Sequence, residues 1–134
     1  MTKGIIKKMD PLGRVTVPME YRKTAGINAF DRVGLELHGS VIHVILPSNM
    51  GKFVGIDRPF DELGRITLPI EMRTSLNFEE CQKVDLYFEG NVLCIKKVGC
   101  HYCGKTELLK EFKGFHVCND CADELHGRFR PMSA

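Results

Sequence analysis

Four of the six cysteines stand in two Cys-x2-Cys pairs, Cys100 with Cys103 and, after fourteen intervening residues, Cys118 with Cys121. Two residues between ligands let the backbone fold round one ion, and two such pairs offer the four thiolates of a closed tetrahedral site. The spacing therefore predicts one structural Zn2+ per chain. A redox dithiol, or a mixed site in which His101 or His116 replaces a cysteine, remains open at this point. Cys81 and Cys94 stand 51 residues after Phe30 and His43 and read as small buried residues. The second group is cationic: Lys7, Arg14, Arg22 and Lys23, then Arg58, Arg65 and Arg73. A guanidinium fork engages phosphate or the O6/N7 edge of guanine through two hydrogen bonds, so arginines in a fixed array suit duplex DNA. The alternative is surface ion pairing, Arg14 with Asp10 or Arg22 with Glu20. Asp10, Glu20, Asp61 and Glu71 are explained by turn hydrogen bonding and the helix dipole. With no Ser/His/Asp set and no phosphate-cradling glycine loop, the chain reads as a non-enzyme.

What positions these cations is a repeat. Shifting the sequence by 51 residues aligns it on itself without gaps: Asp-Pro-Leu-Gly-Arg-Val-Thr-Val-Pro-Met-Glu-Tyr-Arg at 10–22 matches Asp-Glu-Leu-Gly-Arg-Ile-Thr-Leu-Pro-Ile-Glu-Met-Arg at 61–73. The register extends back through Gly4/Gly55 and Ile5/Ile56, and forward through Val33/Val84, Leu35/Leu86, Leu37/Phe88, Gly39/Gly90 and Val41/Val92. The cationic pairs Lys7/Arg58, Arg14/Arg65 and Arg22/Arg73 occupy corresponding places, while Thr74 stands opposite Lys23 and Pro59 opposite Lys8. Those two departures weaken the second copy as a cationic surface. The expected organisation is repeat one at 1–47, a flexible joint within 48–54, repeat two at 55–98, a zinc module at 99–127 and a tail at 128–134.

Each copy reads alike. A strand over 4–9 meets a turn at Leu12-Gly13, where glycine supplies positive φ, and a short strand follows over 14–17. Pro18 suits the first turn of a two-turn helix, and Gly26 is placed to end it in a left-handed cap. Val33, Leu35 and Leu37 then alternate with polar residues, marking a half-buried strand that Gly39-Ser40 reverses into another over 41–46. So small a unit buries too little apolar surface to offset chain entropy, and a second copy must complete the core. An internal two-fold barrel is the preferred arrangement; pairing each copy with its counterpart on another chain is the other, and the sequence does not separate them.

The duplicated run Gly-Ile-x-[Lys/Arg]-x-x-Asp-x-Leu-Gly-Arg-[Val/Ile]-Thr-[Val/Leu]-Pro-x-Glu-x-Arg, with its alternating hairpin, resembles the AbrB/SpoVT/MazE swapped-hairpin DNA-binding family over 3–47 and again over 55–98. The resemblance implies a mostly β fold, an intertwined barrel with a looped-hinge helix, and a transcriptional regulator. It also implies DNA contact by Lys7, Arg14, Arg22, Lys23, Arg58, Arg65 and Arg73. Separately, Cys-x2-Cys-Gly-Lys with Val-Cys-x2-Cys-x-x-Glu-Leu resembles treble-clef or ribbon zinc modules, including that of ClpX-type unfoldases. Within it, Gly104 suits a knuckle turn, Phe112 and Phe115 are available for packing, and 120–126 reads as a short helix on which His126 is exposed.

With 134 residues, 43% apolar and 27% charged, the composition is that of a globular protein and excludes collagenous or wholly disordered chains. No apolar run approaches the roughly 18 residues of a membrane span, and a cytoplasmic location is expected. The net charge of +2 argues against a protein that coats nucleic acid by bulk electrostatics. Residues 1–47 hold seven Lys+Arg against four Asp+Glu, a balance of +3, while residues 55–98 hold six against eight, a balance of −2. Repeat one is expected to carry more of the phosphate affinity, and homo-oligomerisation to strengthen binding. Residues 99–134 balance five basic with five acidic residues, which favours protein recognition or self-association over DNA contact, although Arg128 and Arg130 in the tail leave the latter open. A second reading makes the chain an antitoxin or adaptor that holds a toxin or protease and binds DNA only to regulate itself. A compact metal module in place of an extended acidic tail counts against it.

Overall fold

Period-two alternation of apolar residues yields the strands of the first compact unit, Met1–Lys97, and the paired cysteines organise the second, Val98–Ala134. The computed structural model describes residues 4–100, 102–112 and 115–128, the side chains of 125–128 excepted. His101, the His126 side chain, Arg130 and nearly all of the expected tail lie outside the described residues.

In the first unit, repeat one supplies β1 (Ile5–Lys8), β2 (Arg14–Thr16), α1 (Met19–Ala25), β3 (Arg32–His38) and β4 (Val41–Ile45). Repeat two supplies β5 (Ile56–Pro59), β6 (Arg65–Thr67), α2 (Ile70–Ser75), β7 (Lys83–Glu89) and β8 (Val92–Lys97). The helices start after Pro18 and Pro69, which need no N–H there. Gly26, at φ 71°, caps α1 in the left-handed conformation, and Asn77, at φ 55°, takes the same place after α2. Asparagine tolerates that conformation better than most residues, which is how repeat two ends its helix without a glycine.

The strands of the two repeats interleave. One antiparallel sheet runs β1-β7-β8-β4-β3-β5, so the first strand of each repeat pairs with the hairpin of the other. A separate ribbon joins β2 to β6. In the ribbon Val15 faces Ile66, and between β4 and β8 His43 faces Cys94. Each of these pairs consists of residues 51 apart, so an internal dyad passes through both. Val15, Val17, Ile66 and Leu68 from the ribbon pack in one core with Val33, Leu35, Ile42, Val44, Val84, Leu86, Leu93 and Ile95 from the sheet. A fully buried Val, Leu or Ile contributes about 1.5–3 kcal/mol, and because both repeats feed the same core, neither has one of its own.

The joint departs from expectation. Instead of a flexible Ser-Asn-Met-Gly stretch, a 3-10 helix spans Pro47–Lys52, started by Pro47 at its first position. Phe53, just after it, lies with its ring where a Cβ on Gly34 or Gly55 would sit, 2.7 and 2.9 Å from those ideal positions. The glycines leave room for a ring that fastens the joint to the sheet.

The second unit pairs β9 (Leu109–Phe112) with β10 (Phe115–Cys118) and continues into α3 (Asn119–Arg128). Its core is small, consisting of Cys100, Val117 and Cys118 with Leu109, Cys121 and Ala122 packed against it. Phe112 and Phe115 face each other across the hairpin and stay largely exposed.

Candidate nucleic-acid interface and metal centre

Val15 and Ile66 point into the core, so strand alternation turns Arg14, Thr16, Arg65 and Thr67 to the opposite face of the β2–β6 ribbon. Arg14 lies directly opposite Thr67, and Arg65 opposite Thr16. The two arginines are thus diagonal neighbours about the dyad, on one face of the ribbon. Each retains 31% side-chain exposure.

Their aim is set by the preceding turns. Asp10 Oδ1 accepts from the backbone N–H groups of Leu12 (3.0 Å) and Arg14 (2.8 Å), while Oδ2 accepts from Arg14 Nε at 2.6 Å. Asp61 repeats the arrangement with Leu63 (2.9 Å), Arg65 N (2.8 Å) and Arg65 Nε (2.6 Å). Burial disfavours both carboxylates, but the N–H donors and the guanidinium outweigh it and hold them below the ordinary value of 3.8. The Arg14–Asp10 ion pair considered from sequence exists, with a counterpart in repeat two. It engages Nε alone, and the Nη groups of Arg14 and Arg65 have no hydrogen-bond acceptor among the described residues. Ion pairing here orients each fork without consuming it.

Arg22 makes no ion pair with Glu20 among the described residues. Its Nε donates to the Val17 carbonyl at 3.0 Å, and its guanidinium crosses to the other repeat, where it would lie 2.5 Å from a Cβ on Gly64. Arg73 does the same, donating to Leu68 O at 2.9 Å and reaching 2.7 Å from a Cβ on Gly13. Each helix therefore lays its arginine on the turn that carries the other repeat's Arg14 or Arg65. Lys23 is exposed on α1 beside Arg22. Lys7 and Arg58 lie on β1 and β5, the two edges of the six-stranded sheet, and Arg58 Nη1 donates to the Asp57 carbonyl at 2.7 Å. The structure thus gathers Arg14, Arg65, Arg22 and Arg73 about the ribbon and sets Lys7 and Arg58 apart.

In the second unit the Sγ atoms of Cys100, Cys103, Cys118 and Cys121 lie within 4.8 Å of one another. Cys103 Sγ and Cys118 Sγ are 3.6 Å apart, close to the tetrahedral edge of about 3.8 Å implied by a Zn–S distance of 2.3 Å. Gly104 turns the first knuckle at φ 79°, and its N–H donates to the Cys100 carbonyl at 2.9 Å. The Tyr102 and Cys121 N–H groups donate to Cys100 Sγ and Cys118 Sγ, both at 3.4 Å. Burial opposes the Cys100 thiolate, but backbone N–H donors overcome it and bring its pKa down to about 6. Burial and the neighbouring thiols push Cys121 upward. Four clustered sulfurs cannot all ionise without a cation to balance them, and these four residues are able to hold a metal ion. Cys81 and Cys94 do not join the cluster; Cys94 is buried as expected, whereas Cys81, in the turn before β7 at φ 56°, is only half-buried.

Two proteins of Bacillus subtilis (strain 168) are similar to part of this chain. Abh, described by its name as a transition state regulator, is 36% identical over 50 residues, covering 37% of this chain and 54% of Abh. AbrB, a transition state regulatory protein, is 39% identical over 46 residues, covering 34% and 48%. The chain thus spans about half the length of the curated relatives it matches. This partial likeness supports an AbrB-like family for the matched segment. No protein-family model matches the chain, and no solved structure matches it significantly.

Proposed function

We propose that the chain is a cytoplasmic transcriptional regulator that binds duplex DNA through a tandem AbrB-like barrel and carries a structural zinc ion on Cys100, Cys103, Cys118 and Cys121. The observation that carries this reading is the pair Arg14 and Arg65, on one face of the ribbon and related by the internal dyad, with Nη groups that have no acceptor among the described residues. A duplex presents its own approximate dyad, so paired forks meet equivalent groups on its two strands. Arg22 and Arg73 brace the opposite turns while adding charge there; Lys7, Lys23 and Arg58 extend the surface toward flanking phosphates. The zinc module offers Phe112 and Phe115 to a protein partner or to a second copy. Likeness to two transition state regulators agrees with this function.

A gel-shift titration over a salt series tests it. Arg14→Ala and Arg65→Ala should each weaken binding and make the log K against log [salt] slope shallower by about 0.9 for every phosphate that is no longer neutralised. Unchanged affinity and slope in both variants would refute the reading.

A further inference from the structure

We propose that two exposed apolar pairs, Leu12 with Ile70 and Leu63 with Met19, read thymine through its C5-methyl group in the major groove and so select the base pairs beside those met by the arginines. The inference deepens the DNA reading above and rests on it.

All four side chains stand in solvent: Leu12 is 66% exposed, Leu63 59%, Met19 60% and Ile70 63%. None belongs to the apolar core or packs against it. Apolar residues exposed singly are ordinary, but these occupy the same two places in both repeats, 51 residues apart. Local structure asks for an apolar side chain at neither place. The turns are held by the Leu12 and Leu63 backbone N–H groups, which donate to Asp10 and Asp61, and by Gly13 and Gly64 at φ 82° and 80°; polar residues dominate turns of this kind. Met19 and Ile70 open their helices, where the dipole favours acidic side chains.

Strand exchange sets the four in two mixed pairs. Val17 N–H donates to the Gly64 carbonyl and Leu68 N–H to the Gly13 carbonyl, both at 2.9 Å, so the turn of each repeat abuts the point where the other repeat enters its helix. Arg22, seated on Gly64, follows Met19 by three residues and shares its helix face, which puts Met19 beside the turn tip that holds Leu63. Ile70, Arg73, Gly13 and Leu12 repeat this arrangement. Each apolar pair therefore flanks the end of the ribbon from which Arg65 or Arg14 projects.

The surrounding guanidinium groups make the partner a polyanion, and the ribbon makes the groove the major one, which is about 12 Å wide and admits two antiparallel strands. Thymine presents its methyl group there, on the same side of the duplex as the guanine O6 and N7 atoms that an arginine fork takes. The minor groove shows no methyl.

Duplexes enriched from a random library by the full chain, purified with Zn2+ present, supply the probe. They are resynthesised with deoxyuridine for thymine, which removes the methyl groups and keeps every charge and hydrogen-bonding group. Wild type should lose about four-fold in affinity for each methyl that leaves an apolar contact. The variant Leu12→Ser/Met19→Ser/Leu63→Ser/Ile70→Ser should bind both duplexes alike while keeping the urea midpoint of wild type, and if it does not fold, Leu12→Ser alone should already shrink the deoxyuridine penalty. Equal binding of the two duplexes by wild type, a penalty undiminished in the folded variants, or enriched duplexes without thymine overturns the inference and leaves the DNA reading standing. Failure to enrich any duplex overturns both.

Discussion

Asp10 and Asp61 each accept three hydrogen bonds within four residues, two from the backbone and one from the guanidinium they aim. Both pKa values are lowered in the folded chain from 3.8. A carboxylate whose folded pKa is depressed stabilises the fold above its unfolded pKa, and that contribution is lost as pH falls through the folded value. Urea midpoints followed against pH should therefore show Asp10→Asn/Asp61→Asn less stable than wild type at neutral pH, with the gap closing well below pH 3.8. A gap that persists in acid would mean that the charge plays no part. The i,i+4 pair Arg14–Asp10 could be read from the sequence because its partners are neighbours. The Arg32–Asp57 pair could not, since 25 residues and a strand exchange separate its members. The same applies to the seats of Arg22 and Arg73: a glycine in a turn announces positive φ, not a guanidinium arriving from the other repeat.

Among the elements, the turns before β2 and β6 combine a left-handed glycine with a side chain seated on it. Gly64 combines φ 80° with the Arg22 guanidinium overhead, while Gly26 has φ 71° and open space where its Cβ would be. Left-handed backbone costs an L-residue about 1–2 kcal/mol, so Gly26→Ala should lose about that much. Gly64→Ala should lose more, and Arg22→Ala should remove the excess. A double-mutant cycle from urea melts measures this, and additivity would exclude the cross-repeat seat. Strand and helix positions followed from period-two alternation and from the Pro and Gly punctuation. The 3-10 helix at the joint is not legible in the sequence because Ser-Asn-Met-Gly carries the composition of a linker. Pro47 was the local signal for it, and Phe53 needs Gly34 and Gly55, which only the folded sheet brings beneath it.

For the whole molecule, the gapless 51-residue repeat announced the pairing of two halves, but not which of two chain arrangements realises it. That choice depends on strand exchange between distant segments, and in this structure β1 pairs β7 and β5 pairs β3 within one chain. The two compact units draw on different sources of stability: one shared apolar core in the first, four sulfurs and a small apolar cluster in the second. A chelator that strips a metal ion from the four sulfurs should therefore unfold the Val98–Ala134 unit and leave the other folded. In amide NMR spectra of the full chain, signals from 99–128 should collapse to narrow dispersion while those of 4–97 persist. Loss of both sets together would show that one fold depends on the other. Cobalt(II) uptake with thiolate charge-transfer bands would report the tetrahedral ligand set, and Cys118→Ser should weaken it.

His43 facing Cys94, and Val15 facing Ile66, are places where two identical polypeptides would be obliged to set imidazole on imidazole, thiol on thiol, or valine on valine. Covalent continuity lifts that obligation, so unlike side chains can be matched on the axis itself. It also halves the dose of any substitution: a change that an exchange-built pair of separate chains would suffer twice is suffered here once, with an intact counterpart 51 residues away.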